Sequence, residues 1–209
     1  MDDLRSLKPN QLDALREVAN IGAGHAATAL SQMIGETIMI SVPTINVSPL
    51  EDVGPQVAAP DEPVAAVLMH MLGDLTGRTL LVFPKRTALR LASLLMRRRP
   101  EARGDDDDFT EMDQSAIKEA GNILSSAYMN ALSDFMGMML LPSPPSLAVD
   151  MSNAVLTTTY LQFGSDRDYV FCVESEFLMN DTDEKLRGFF LLLPDPASLN
   201  AILKAVRVA

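Results

Sequence analysis

Two polar pairs are the residues of this chain whose types and spacing could support chemistry: Glu17 with Asn20, and Glu119 with Asn122. A separation of three residues places both side chains of a pair on one face of a helix. A carboxamide can donate a hydrogen bond to a water molecule and accept one from it, which fixes the direction of that water. A carboxylate can bind a cationic side chain of a partner. These groups could therefore hydrolyse a phosphoryl group carried on another protein, a reaction that depends mainly on positioning.

Each pair belongs to a longer polar stripe, because Asp13 and Ser115 lie four residues before the glutamates. We call residues 13, 17 and 20 the first stripe and residues 115, 119 and 122 the second stripe. A solvated helix face is the more common explanation of a single Glu-x-x-Asn pair, but it does not explain why the pair occurs twice. Neither stripe contains a histidine or cysteine for a nucleophilic triad, and neither has enough oxygen ligands for a dedicated metal site. We therefore predict no metal site.

Small residues follow each stripe by one turn, namely Ala23 with Gly24, and Ser125 with Ser126. We expect them to let the backbone of another molecule approach the helix closely. The run that begins Gly22-Ala23-Gly24 also matches a dinucleotide-binding pattern, but no strand precedes it. The glycines are more consistent with close packing between helices.

The chain is internally duplicated. Residues 13–43, shifted by 102 positions, overlay residues 115–145 without a gap, and ten of the 31 positions are identical. Average residue usage would give roughly two matches. The identical residues of the first half are Ala14, Glu17, Asn20, Ile21, Ala29, Leu30, Ser31, Gly35, Ser41 and Pro43.

Hydrophobic periodicity predicts the elements that position the stripes. We expect a long helix over residues 9–34 and a second over 110–135, the latter with Thr110 as N-cap and Asp113 as its capping acid. The other predicted elements are strands at 37–42, 64–72, 78–83 and 189–193, a hairpin of strands 155–163 and 169–178 around residues 164–167, and helices after Pro84 and over 197–206.

These elements predict an α/β fold with α+β layering. It is a duplicated helix–strands–helix unit with pseudo-two-fold symmetry, one shared sheet and two long outer helices. We expect a single domain over residues 1–209. Its repeats would span about 9–100 and 110–208, joined by an acidic linker at 101–109.

Composition excludes several classes of function. The net charge of −11 and the pI of about 4.5 disfavour binding to nucleic acid or to an anionic membrane. The single cysteine, Cys172, excludes an internal disulfide and suits a reducing compartment. No stretch is apolar enough to span a membrane and no secretory signal is visible, so we expect a cytoplasmic protein without membrane insertion.

Four positions occur at one spacing in both halves, the first occupied by Asp or Ser and the other three by identical residues: Asp13-x3-Glu17-x2-Asn20-x22-Pro43 and Ser115-x3-Glu119-x2-Asn122-x22-Pro145. This duplicated pattern resembles the signature of the CheC-type chemotaxis phosphatases, the CheC, CheX and FliY family. The stretch LREVANIGAGHAATALSQM is likewise similar to the first helix of that family. Two intact copies within one chain resemble the CheC type more than the CheX type, which carries the signature once and dimerises.

The resemblance implies hydrolysis of the aspartyl-phosphate of a CheY-type response regulator. Asn20 and Asn122 would orient the attacking water, and the two glutamates would pair with a lysine of the regulator. The Mg²⁺ would belong to the regulator, so no cofactor of the chain's own is expected. Supporting positions are Asp13, Ser115, Pro43 and Pro145.

The resemblance also implies a second partner, a CheD-type receptor deamidase, and a monomeric protein. An alternative from a different class stays open: a non-catalytic adaptor that binds the response regulator or CheD without hydrolysis. Substitution of the asparagines would distinguish the two, because only in the enzyme would it change turnover while hardly affecting affinity.

Overall fold

The computed structural model describes residues 8–49, 52–98, 107–163, 169–179 and 182–208. Six helices and eight strands are found in these ranges. In chain order they are α1 (Pro9–Ile34), β1 (Ile38–Ile40), β2 (Thr44–Pro49), α2 (Gly54–Val57), β3 (Pro63–Gly73), β4 (Gly77–Pro84), α3 (Lys85–Leu95), α4 (Glu111–Met136), β5 (Leu140–Pro142), β6 (Ser146–Met151), α5 (Ser152–Phe163), β7 (Tyr169–Met179), β8 (Thr182–Pro194) and α6 (Pro196–Val208).

The two long helices begin and end as their sequences predict. Helix α1 has Pro9 in its first turn, where the missing N–H costs nothing. Thr110 is the N-cap of α4 and forms a capping box with Asp113. Both helices end at a glycine in the left-handed conformation, with φ of 80° at Gly35 and 62° at Gly137.

All eight strands belong to one antiparallel sheet, whose main order is β1-β7-β8-β4-β3-β5. Strand β2 also pairs with β7, and β6 also pairs with β3. Strands β1 to β4 of the first half correspond to β5 to β8 of the second half. If each strand is replaced by its counterpart, the order of the sheet is the same but reversed, which is the predicted pseudo-two-fold symmetry. The edge strands of each half pair with the central strands of the other half, so the halves are interlocked.

The sheet has a different helical layer on each face. Helices α1, α3, α4 and α6 share the larger hydrophobic core on one face. Helices α2 and α5 contribute Val57, Val155 and Leu156 to a second core on the opposite face. The stripes therefore lie on the outer side of a helical layer that rests on the sheet. This arrangement confirms the predicted fold class, including the single sheet and the two long outer helices.

The predicted strand at 155–163 is wrong, because these residues belong to helix α5. The run is rich in Val, Thr and Tyr, which favour strands, but burial on the sheet decides the local structure. Val155, Leu156 and Thr159 are buried at helical spacing. The hairpin in this half is instead formed by β7 with β8. The turn predicted at 164–167 lies outside the described residues.

Several shorter elements differ from expectation. The strand predicted at 37–42 shortens to β1, and the sequence patterns did not predict β2, β5, β6 or α2. Only residues 107–109 of the predicted linker are described. Among the helices that the structure describes, none is both long enough and apolar enough to cross a membrane.

Candidate active site on two surface helices

Most of the residues that recur in both halves have a visible role in the fold. The hydroxyl of Ser31 accepts a hydrogen bond from the Ile38 N–H at 2.9 Å, which fastens the turn after α1. The hydroxyl of Ser133 donates to the Met138 carbonyl at the matching turn after α4. With the glycine caps, these serines explain why the helix ends are alike.

The recurring Ser41 and Ser143 have a second structural role. The Ser41 hydroxyl accepts a hydrogen bond from the Glu176 N–H at 3.2 Å, and the Ser143 hydroxyl accepts one from the His70 N–H at 2.9 Å. Each serine therefore binds the backbone of the adjacent strand. Among the recurring apolar residues, Leu30 and its counterpart Leu132 are fully buried. Packing and turn geometry account for these positions.

The recurring glutamates and asparagines have no such role. Glu17, Asn20 and Glu119 are exposed, and Asn122 is half-buried. In the described part of the chain, none of the four side chains has a hydrogen-bond or ion-pair partner. The fold presents these groups at the surface without using them. They are available to a second molecule.

The first stripe lies on an open helix face. Asp13 forms an ion pair with Arg16 at 2.8 Å, and both side chains are exposed. An exposed pair of this kind contributes little to stability, so it mainly holds the two side chains beside Glu17. Gly24, one turn after Asn20, has nothing within 4 Å of the space that a side chain would occupy. This part of α1 can be approached closely, as expected.

The second stripe is less open. Ser115 is exposed and stands where the first stripe has Asp13, so Lys118 lacks the carboxylate that Arg16 has at the matching position. Asn122 is partly covered by its neighbours, while Glu119 points into solvent. The two stripes therefore present the same pair of groups in different surroundings.

The expectation for the small residues is wrong at two positions. Ala23 and Ser125 are 3% and 0% exposed and face the interior, so they cannot contact a partner. Their spacing places them on the buried side of the helix, next to the core. Ser126 is half-buried.

Close packing fixes the long helices under the stripes. A side chain added at Gly22 would meet Tyr128 of α4 at 2.6 Å. The Tyr128 ring stacks on Phe190 with centroids 4.7 Å apart, and its hydroxyl lies 2.9 Å from the Ser175 hydroxyl. Burial raises the pKa of Tyr128. Gly22 therefore serves helix packing, as predicted, whereas the same prediction is wrong for Gly24, which has no neighbour among the described residues to pack against. Tyr128 joins both helices to the sheet.

Helix α4 packs on the sheet at Gly121. An added Cβ at this position would lie 2.6 Å from Val67 of β3, so only glycine lets the helix and strand approach so closely. Gly121 is the residue before Asn122. The position of that asparagine is thus set by a strand from the other half of the chain.

The predicted prolines lie in the connections between edge strands. Pro43 is buried and joins β1 to β2, and Pro145 is half-buried and joins β5 to β6. A fixed φ angle suits a bend at which the chain leaves one edge strand and begins the next. These two prolines therefore serve the path of the backbone between the edge strands.

The described residues offer few other groups for catalysis. Burial raises the pKa of the Cys172 thiol to about 12, so the thiolate nucleophile is not formed at neutral pH. Within those residues, no group of three or more His, Cys, Asp or Glu side chains could hold a metal ion. The arrangement can bind a cation through each glutamate and orient a water molecule through each asparagine.

Comparison with known proteins identifies the family. The family model described as CheC-like matches residues 11–47 and 112–149, which contain both stripes. The Bacillus subtilis protein named CheY-P phosphatase CheC is 30% identical over 206 residues, covering 99% of this chain and 98% of that protein.

Two solved structures show the same fold. Thermotoga maritima FliY matches with a TM-score of 0.80 and 23% identity, covering 97% of this chain and 98% of that one. CheX in its complex with CheY, BeF3 and Mg from Borrelia burgdorferi matches with a TM-score of 0.50 and 17% identity, covering 82% of this chain and 95% of that one. From the sequence relationship over nearly its whole length, this chain belongs to the CheC-like family.

Proposed function

We propose that this chain is a phosphatase that hydrolyses the aspartyl-phosphate of a CheY-type response regulator in chemotaxis signalling. The observation that carries the proposal is that two Glu-x-x-Asn pairs lie at the surface, three of their side chains exposed and Asn122 half-buried, without a partner among the described residues. Polar groups that occur twice and do not serve the fold are available to bind a substrate. The name of the Bacillus subtilis relative, CheY-P phosphatase CheC, supports the class of reaction.

In the proposed reaction, Asn20 or Asn122 holds one water molecule in line with the phosphorus–oxygen bond of the acyl phosphate. The water oxygen attacks phosphorus, and the bond from phosphorus to the aspartate oxygen breaks. The aspartate is released as its carboxylate, and both protons of the water leave with inorganic phosphate. The asparagine is neither acid nor base, because its carboxamide only orients the water. Mg²⁺ bound to the regulator would neutralise charge on the phosphoryl oxygens, and the chain would contribute no cofactor of its own.

The glutamates have a different proposed role. Glu17 and Glu119 bind a lysine of the regulator and so set the register of the complex. Asp13 supports the first stripe by holding Arg16, and Ser115 takes the matching place in the second. Pro43 and Pro145 act through the shape of the strand connections.

The same fold and family support the choice of partner. The Borrelia burgdorferi structure is a complex of CheX with CheY, which supports a CheY-type regulator as the protein bound here. A CheD-type deamidase is proposed as a second partner from the family resemblance. We further propose that the chain acts as a monomer in the cytoplasm.

The direct test is the decay of a phosphorylated CheY-type regulator with and without this protein, at protein concentrations well below that of the regulator. Faster decay under these conditions requires turnover and would establish the enzyme. Formation of a complex without faster decay would contradict the proposal and favour the non-catalytic adaptor.

The role of the glutamates can be tested in the same assay. We expect Glu17→Ala combined with Glu119→Ala to raise KM for the phosphorylated regulator more than it lowers kcat, because the carboxylates serve binding. Asn130→Ala is the matched control, since Asn130 is an exposed residue of α4 outside the second stripe. A loss of kcat at unchanged KM would contradict a binding role.

A further inference from the structure

Ile21 lies next to the first stripe and recurs in the second half of the chain as Ile123. Neither the fold nor the proposed reaction gives Ile21 a role. It is 43% exposed, and among the described residues of α1 it is the only large apolar side chain that is exposed. A single exposed apolar residue is ordinary on a protein surface. Here the residue is also identical in both copies of the repeat and directly follows Asn20.

Helix geometry places Ile21 beside Glu17. It lies four residues after Glu17, so the two Cβ atoms are about 5–6 Å apart on the helix surface. A protein that binds the Glu17 carboxylate therefore approaches the apolar side chain of Ile21 as well.

The second copy separates a structural role from a binding role. Ile123 is half-buried and packs against the core that α4 shares with the sheet. The fold therefore explains much of the apolar character at position 123. It does not explain Ile21, which is 43% exposed and is not among the described residues that pack against that core.

We infer that Ile21 is an apolar docking residue for the response regulator. It would contact the surface of the regulator that borders the aspartyl-phosphate and would add binding energy to the Glu17 contact. The inference rests on the proposed function and adds to it a residue that determines affinity. Ile21 does not touch the reacting atoms, so its effect falls on KM and on the dissociation constant.

The experiment uses the full chain with the second stripe silenced by Glu119→Ala and Asn122→Ala. In that background, we expect Ile21→Ala to raise KM roughly three- to tenfold, the effect of losing part of a buried aliphatic contact. We expect kcat to stay within about twofold. Ile21→Leu should restore most of the affinity, because it keeps the apolar volume.

Two controls distinguish docking from a general loss of apolar surface. Met139→Ala removes a side chain that is 56% exposed in the connection between α4 and β5, and should leave KM unchanged. The second control is Ile123→Ala in a chain whose first stripe is silenced by Glu17→Ala and Asn20→Ala. Compared with Ile21→Ala, it should raise KM less and lower the free energy of unfolding more.

Calorimetry on the same variants measures their affinity for the phosphorylated regulator. This measurement distinguishes failure of the docking role from failure of the proposed phosphatase activity. If Ile21→Ala still turns over the regulator with an unchanged KM and an unchanged dissociation constant, the docking role is overturned. The proposed phosphatase activity is not affected by that result. Absence of turnover in the unmodified chain would contradict the phosphatase. In that case a dissociation constant raised by Ile21→Ala would still support docking, and an unchanged one would overturn it.

Discussion

The two stripes carry the same functional groups on helices that are anchored differently. At the start of α4, the Asp113 carboxylate accepts the Thr110 N–H at 2.8 Å, and its other oxygen lies 3.7 Å from Arg98. At the start of α1, the Lys8 side chain caps nothing, and the Lys8 N–H reaches the side chain of Gln11 at 2.8 Å. The second stripe therefore stands on the better-capped helix.

The close contacts beneath the two helices have different partners. Helix α4 meets strand β3 at Gly121, whereas α1 meets α4 at Gly22. An apolar pocket of about 50 Å³ lies beneath both helices, and its lining includes three residues from each: Leu15, Val18 and Ala19 of α1, and Tyr128, Met129 and Leu132 of α4. The pocket therefore does not distinguish the two helices, and their starts carry the difference in anchoring.

A duplicated surface therefore need not have duplicated anchoring. Asn122 is half-buried on the better-capped helix, and Asn20 is exposed on the other. We therefore expect the second stripe to be better preorganised for orienting water, and the first to be more open to the partner.

The largest expected effect concerns the contact of α4 with the sheet. We expect Gly121→Ala to lower the free energy of unfolding by about 1–3 kcal/mol, because the new Cβ would overlap Val67. Gly24→Ala is the control within the other long helix, where the space is open, and should raise stability by up to about 1 kcal/mol. Urea unfolding of both variants measures the difference, and equal shifts would contradict tight packing at Gly121.

The next effect concerns the helix starts. Thr110→Ala should lower the free energy of unfolding by about 1 kcal/mol, since it removes the side-chain cap of α4. Lys8→Ala at the matching position should change it by less than about 0.5 kcal/mol. Chemical denaturation under identical conditions compares the two. A similar loss in both variants would show that the helices are anchored alike.

A smaller effect is expected when the asparagines are replaced singly. Each of Asn20→Ala and Asn122→Ala should keep part of the phosphatase activity, and the two losses should add, because the stripes have separate surroundings. We expect Asn122→Ala to lower kcat somewhat more, up to about twofold beyond the other variant. Initial rates of regulator dephosphorylation provide the measurement. An inactive single variant would mean that the two stripes act together.

The smallest effect concerns the charge pair of the first stripe. Asp13→Ser makes the first stripe resemble the second and removes the partner of Arg16. We expect the free energy of unfolding to change by less than about 0.5 kcal/mol, and less at high salt, because the pair is exposed. A loss above about 1 kcal/mol in thermal or urea unfolding would assign Asp13 a structural role that the ion pair does not explain.

Local patterns predicted the long helices well because their causes are local. Thr110 with Asp113, and the glycine after each helix, are cap residues that act within one turn. Helix α5 was mispredicted because its Val and Thr residues favour strands, and only its packing against the sheet makes it helical. The exchange of edge strands between halves depends on pairing partners distant in sequence, which periodicity does not report.

The candidate site was predicted to a similar extent. Spacing placed Glu17 and Glu119 correctly at the surface, because one helical face carries the stripe. Spacing did not show that Ser125 faces the core, nor that Asn122 is half-buried. Both depend on how closely α4 approaches β3, and that distance is a tertiary property.

In the proposed function, the two asparagines control turnover at the surface of this protein. The most direct measurement compares kcat and the dissociation constant for a phosphorylated CheY-type regulator between the unmodified chain and Asn20→Ala combined with Asn122→Ala. We predict that the double variant loses catalysis by about a hundredfold or more while its affinity changes by less than about threefold. An unchanged rate of dephosphorylation in the double variant would contradict the account.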